Sequence, residues 1–423
     1  MWTADWSVRL RCGIVSVVIV MAAAFECLPV RGQATVSLKL VQTLSNAEFV
    51  SWSDPFSKQG VLAVRARDVV QLWDTQTLTL KATLPRQEKI LKALFTSDGE
   101  TFITSNREKP AGLITRLWNV QTGRLEHTLT GLIVQHSTDA IVTLSDRNDL
   151  KFWNAETGEL GKTVPSYKGK FSNSKLSADG RRVVRYGGKK GFLWEANSGR
   201  LIAELKPPEE RDIIIPWYAD LKLEGALFSP DSKIIATEDS LNSIELWDAD
   251  TGRLRALLQG HRSTIYTLAF SPDGRLLASA SRDGTARIWN VETGQLVHTL
   301  RAGKEIATEV VFNPEGTFLA VGYHTQARVW DVSSGQLQAT LSPHSDINTM
   351  VLFGTYLDGI LILLSPQGSL LLTVGNKSVK VWTTTGEAVT TLKSVRWPVA
   401  FAPNGKILAT TGRDGSVLLW AIQ

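Results

Sequence analysis

The sequence predicts an all-β protein, a single closed β-propeller of four-stranded antiparallel blades. Three observations predict it. A phrase centred on Trp, mostly followed by Asp or Asn and then by a Thr-Gly or Ser-Gly turn, recurs along the 423 residues. A second phrase, with the turn composition of Ser-Pro-Asp-Gly, recurs upstream of most copies of the first. Finally, the two ends complement each other: residues 36–44 read as a strand with no unit before it, and the last unit stops in its third strand at Trp420.

Taken in chain order, residues 1–34 read as an address rather than as fold. Arg9 and Arg11 precede an apolar stretch from Cys12 to Phe25, Pro29 breaks any helix, and Gly32-Gln33-Ala34 places small residues at a cleavage site. This is the layout of a secretory signal peptide. The run is short for a spanning helix and Glu26 interrupts it, so an uncleaved N-terminal membrane anchor is the alternative. The expectation is an exported protein, periplasmic or extracellular, with no membrane span after signal removal. Both cysteines, Cys12 and Cys27, fall in this segment. Thiol chemistry and Cys-ligated metals are therefore excluded from residues 35–423, the expected propeller domain.

The Trp anchors are Trp73, Trp118, Trp153, Trp194, Trp247, Trp289, Trp330, Trp382 and Trp420. Their recurrence about every 40–45 residues marks a propeller blade of four short strands. The unit from Gly260 is the clearest. Thr264–Phe270 alternates as an inner strand, and Ser271-Pro272-Asp273-Gly274 is a turn with Pro and Gly in their usual places. Arg275–Ser281 is the second strand, Asp283-Gly284 a hairpin turn, Thr285–Asn290 the third strand and Gln295–Leu300 the outer one. Strand 36–44 then supplies the fourth strand of the last unit and closes the ring, removing exposed sheet edges. The count gives nine blades. Eight is the alternative, because Trp118 and Trp153 stand close together and squeeze the inner strand expected near Leu132–Ser137.

These repeats resemble the WD-repeat family of β-propellers over about residues 36–423. The resemblance implies a fold, not an activity. It also implies that His261, Ser279, Asp283 and Trp289 form the family's structural hydrogen-bonded tetrad, pinning the loop before the inner strand to the turn after the second. His344, Thr373 and Trp382 look like a partial copy.

Composition and motifs argue against chemistry. Lys+Arg 46 against Asp+Glu 41 gives a net charge of +5 without a dense basic block, so no nucleic-acid partner is expected. No His-Glu-x-x-His, Gly-x-Ser-x-Gly or phosphate-binding Gly-rich loop occurs. His127 and His298 occupy matching outer-strand contexts, and Asp248-Ala249-Asp250-Thr251-Gly252 reads as the ordinary turn after Trp rather than a calcium loop. The starts of the inner strands read as mostly apolar residues and Ser/Thr. No catalytic residue, metal site or cofactor is assigned.

Three insertions remain: 207–225 and 343–358, each before an inner strand, and 107–113 between second and third strands. Both loop types open on the same rim. Glu210, Arg211, Ile214, Trp217, Tyr218 and Tyr356 are the candidate contacts for a protein partner, because aromatic anchors ringed by charge compose binding hot spots. A lid packed on the ring is the competing reading of the 207–225 stretch. The expectation is a monomeric, non-enzymatic interaction scaffold. The rivals are a propeller hydrolase or lactonase with a metal in its channel, and a carbohydrate-binding propeller stacking sugars on Trp217 and Tyr218.

Overall fold

A computed structural model describes residues 36–50, 55–87, 89–137, 140–165, 174–187, 190–206, 226–238, 242–301, 303, 305–324, 326–341, 350–352, 355–357, 361–375 and 377–423. The chain is a nine-bladed β-propeller: the described residues form nine four-stranded antiparallel sheets, one two-stranded hairpin and no helix. Numbered in chain order, the blades span 47–83, 90–130, 132–164, 174–205, 227–258, 265–301, 307–341 and 361–393, and the ninth joins 395–422 to strand Leu38–Leu44.

Eight blades are antiparallel meanders and the ninth is completed by the N-terminal strand; tight turns make most of the connections. At the first turn of blade 6, Ser271 Oγ donates to Asp273 Oδ1 at 2.6 Å and accepts the amide of Leu276 at 2.9 Å. Thr96–Asp98, Ser177–Asp179 and Ser229–Asp231 repeat the hydroxyl-to-carboxylate bond. Gly274 sits at φ +72°, where a side chain is strained. After the third strand, Asp248 Oδ1 accepts the amides of Asp250 and Thr251, at 3.1 and 2.8 Å. This is an Asx turn of the kind that favours Asp and Asn after the Trp.

The Trp residues join blade to blade. Trp118 packs among Val61, Ala63, Leu72 and Leu84 of blade 1. Trp289 packs among Ile234, Ala236, Leu246 and Leu258 of blade 5, and Trp382 among Phe318, Ala320 and Val329 of blade 7. Trp73 of blade 1 meets Ala402, Ile407, Ala409 and Leu419 of blade 9, so the same contact closes the ring. Six indoles donate to a hydroxyl on the neighbouring second strand: Trp118 to Thr104, Trp153 to Thr143, Trp247 to Thr237, Trp289 to Ser279, Trp382 to Thr373 and Trp420 to Thr410. Buried indoles usually find such a partner.

The N-terminal strand closes blade 9 as the sequence suggests. Leu38 pairs with Ile422 and Leu44 with Val417, and Ser37 and Gln423 exchange backbone hydrogen bonds of 2.8 and 2.9 Å.

Two expectations change in detail. The third unit is not squeezed: its inner strand Leu132–His136 is intact, and only Gly131 separates it from the outer strand Leu125–Thr130 of blade 2. Gly131 has φ +109°, and a Cβ there would meet Thr143 and the Leu144 carbonyl within 3 Å. The missing length comes out of the connecting loop, which settles nine blades over eight. The insertion at 107–113 is not a loose loop either. The second and third strands of blade 2 lengthen into it, as Thr101–Glu108 and Gly112–Asn119.

Candidate functional site

In a four-stranded meander that runs from inner to outer strand, the turn between second and third strands and the link to the next blade lie on one rim. The described functional candidates gather there and along the inner wall.

The tetrad is assembled in blade 6. Trp289 Nε1 donates to Ser279 Oγ at 2.9 Å, Ser279 Oγ lies 2.7 Å from His261 Nε2, and His261 Nδ1 lies 2.9 Å from Asp283 Oδ2. A carboxylate can only accept, so Nδ1 carries the proton and Nε2 accepts from the serine. Asp283 also takes the amide of Arg262 at 3.0 Å and the Thr285 hydroxyl at 2.5 Å. Burial alone would raise the Asp283 carboxyl. The hydrogen bonds from His261, Thr285 and Arg262 outweigh that and hold it far below the usual carboxylate range. The His261 side chain is 1% exposed and its indole neighbour is buried, so the group offers no reactive atom to a substrate. We expect His261→Ala to cost about 1–3 kcal/mol, since it leaves the buried Ser279 hydroxyl without its acceptor and removes one hydrogen bond from Asp283. A folded pKa depressed below the unfolded one gives stability that is present above about pH 4 and is lost as pH falls toward the folded value. Urea melts at pH 7 and pH 3 should therefore show a larger loss for wild type than for Asp283→Asn.

Blade 2 carries a variant of this relay. Trp118 Nε1 donates to Thr104 Oγ1 at 2.9 Å, and Thr104 Oγ1 donates to Gln87 Oε1 at 2.6 Å. Glu108, on the lengthened hairpin, is held instead by Arg116 at 2.7 Å and Asn106 at 2.8 Å. The Arg116 and Asn106 bonds keep its carboxyl below the ordinary range. The Gln87 relay escapes a sequence reading that searches for His.

A second regularity was present in the sequence and overlooked. The residue two before the Trp is basic in five units. Lys151, Arg287 and Lys380 stand 5.9, 5.7 and 5.8 Å from the ring centroids of Trp153, Trp289 and Trp382. These cations cap indole faces.

The inner strands open on apolar residues and Ser, as read from the sequence, but are more polar further along. They carry Lys92, Gln135, His136, Lys175 and Glu309. Register shifts in the strands Ile90–Phe95, Leu132–His136, Ile265–Phe270 and Ala307–Phe312 re-aim the residue after each bulge toward the next blade. Lys92 Nζ donates to Val134 O at 2.9 Å, and Glu309 Oε2 accepts the Ile362 amide at 2.8 Å. Gln135 and Thr267 reach Ser174 O and Thr308 O at 3.5 Å. These side chains satisfy backbone groups on the inner sheet edges, which no further strand pairs. Burial, helped by Lys175, pulls the Lys92 ammonium down to about 8. Part of the Glu309 surface stays open, yet protein encloses it so fully that burial pushes its carboxyl up to about 8, against the Ile362 amide. Each is spent on an inter-blade bond, and no group of three or more His, Cys, Asp or Glu side chains suited to a metal occurs among the described residues.

The two matched histidines are blade clasps. His127 Nε2 meets Glu156 O at 2.9 Å and His298 Nε2 meets Ser333 O at 3.1 Å, each on the turn of the next blade. At the calcium-like segment, Arg255 occupies the carboxylate of Asp248, which its bonds to Arg255 and Thr251 hold at about 2 in spite of burial.

Of the candidate partner contacts, Glu210, Arg211, Ile214, Trp217 and Tyr218 lie outside the described residues, as does His344. Tyr356 lies on strand Thr355–Leu357, which pairs with Met350–Leu352 as a small hairpin in the link before blade 8. No helix of the described residues is long and apolar enough to cross a membrane.

Repeats, tetrad and ring define a class, and comparison agrees with it. Residues 252–290, 294–331 and 386–421 match the family model described as WD domain, G-beta repeat. Those three stretches are WD repeats, and the ring that carries them is a β-propeller. Among individual proteins, it is similar to Protein tipD of Dictyostelium discoideum, 25% identical over 240 residues, which cover 46% of this chain and 39% of that protein. The chain thus matches well under half the length of that relative. Its fold is similar to the C-terminal WD40 domain of Sif2, with TM-score 0.55 and 16% identity over 91% of this chain and 98% of that one. It is equally similar to the computationally designed Ika8 protein, with TM-score 0.55 and 18% identity over 80% of this chain and 98% of that one.

Proposed function

We propose that this propeller is a non-enzymatic scaffold that holds a protein partner on the rim bearing its three insertions. One observation carries the reading. The lengthened hairpin of blade 2, the described ends Lys206 and Ala226 of the link before blade 5, and the hairpin strands Met350–Leu352 and Thr355–Leu357 before blade 8 fall on the same rim, at every third blade. A rigid ring presenting projecting loops is the usual way a scaffold positions contact residues. Glu210, Arg211, Ile214, Trp217, Tyr218 and Tyr356 remain the proposed contacts. The apolar stretch within 1–34 supports export, to the periplasm or the outside of the cell.

The test is affinity capture with the mature chain and with a variant whose residues 207–222 become a short Gly-Ser loop. A protein captured by the first and lost by the folded second supports the reading. Identical captures by both, or none by either, would reject it in favour of a structural lid. Sequencing the mature N-terminus tests export: a start near Thr35 agrees, and retention of Met1 contradicts cleavage.

A further inference from the structure

Blades 2 and 6 carry the same relay up to its last step. In blade 6 the protons run from Trp289 to Ser279 to His261, and the far nitrogen of His261 ends on the Asp283 carboxylate. In blade 2 they run from Trp118 to Thr104 to Gln87 Oε1. The Thr104 hydroxyl already accepts from the indole, so its own proton must go to an acceptor. That requirement sets the amide orientation and leaves Gln87 Nε2 where His261 presents Nδ1. Gln87 is only 9% exposed, and its Nε2 is buried without a hydrogen-bond partner. The residue four after Thr104 is Glu108, as Asp283 is four after Ser279. The Glu108 oxygens are taken by Arg116 and Asn106 instead. A buried donor is left without the carboxylate that blade 6 supplies internally.

Gln87 lines a crevice of about 630 Å³ beside the link between blades 1 and 2. Trp118, Arg116, Glu108, Arg86, Arg124 and Leu125 also line it. Arg116 is matched by Glu108, and Arg86 meets Asp68 at 3.4 Å with its side chain 80% exposed. Arg124 is exposed, and Leu125, at 48% exposed, adds an apolar wall. The crevice therefore combines a buried amide donor, guanidinium groups and apolar surface. An acidic side chain on an otherwise apolar peptide segment satisfies all three.

We propose that the crevice between blades 1 and 2 receives a Glu or Asp side chain from an acidic segment of a partner protein, whose carboxylate accepts from Gln87 Nε2 as Asp283 accepts from His261. This rests on the scaffold reading and names the kind of segment the scaffold holds.

The test is selection of a displayed random dodecapeptide library on the full chain, followed by fluorescence anisotropy with the synthesised winners. We expect winners that share an acidic position. Exchanging that acid for its amide should weaken binding at least about tenfold, as should Gln87→Glu or Arg124→Glu. Both variants must melt within a few degrees of wild type, and Arg124→Glu, on the surface, keeps the test valid if Gln87→Glu fails to fold. Winners without a shared acid, no winners at all, or affinities that survive the amide exchange and Arg124→Glu would overturn the proposal. A partner captured by the wild type and retained by Arg124→Glu would overturn it while leaving the scaffold reading intact.

Discussion

Removing residues 36–44 is expected to abolish the folded ring. The deletion strips blade 9 of its outer strand and exposes the third strand Val417–Ile422 as a sheet edge. It removes a ladder running from Leu38↔Ile422 to Leu44↔Val417, each bond contributing about 0.5–1.5 kcal/mol. Leu44, 5% exposed in the cluster that joins blade 9 to Trp73 of blade 1, contributes about 1.5–3 kcal/mol more. The total is on the order of the 5–15 kcal/mol by which such folds are stable. Size-exclusion chromatography should show aggregate in place of a discrete species, because an unpaired edge templates association. A synthetic 36–45 peptide added during refolding should recover part of the discrete species. A truncated chain that stays discrete and melts cooperatively within a few degrees of wild type would contradict strand closure.

Glu309→Gln is expected to stabilise the protein in alkaline solution and to change little in acid. Glu309 holds the Ile362 amide across two blades, and its carboxyl is pushed up to about 8 by burial. The unfolded chain would release that proton near pH 4.3. A folded pKa above the unfolded one gives stability that is complete below pH about 4 and is lost as pH rises through about 8. Each unit is worth about 1.4 kcal/mol, so the loss by pH 9 is about 2–5 kcal/mol. Gln keeps an acceptor for the Ile362 amide and has no proton to lose. Urea melts at pH 5 and pH 9 should show wild type weakening by that amount relative to the variant. Parallel pH profiles would contradict the burial of Glu309.

The blades were legible because their signals are local. Trp spacing, the Asx turn at Asp248 and the Ser271–Asp273 turn each depend on a few adjacent residues, and each recurs. The third unit misled because a shortened Trp118–Trp153 interval does not say whether strand or loop is lost. Gly131 shows that it was loop, and its φ of +109° and the lack of room for a Cβ explain why glycine stands there. The inner-wall contacts were hidden because a bulge decides where Lys92 and Glu309 point, and neither residue type announces a bulge. Gln87 was hidden because it takes the place of a His by geometry rather than by resemblance. The basic residues before Trp153, Trp289 and Trp382 were legible and went unread.

Hydrogen exchange of the propeller, free and bound to a captured protein, tests the scaffold claim most directly. Protection should fall on the hairpin around 107–113, the link 206–226 and the hairpin 350–357. Protection confined to the opposite rim, at turns such as 271–274 and 292–294, would contradict it.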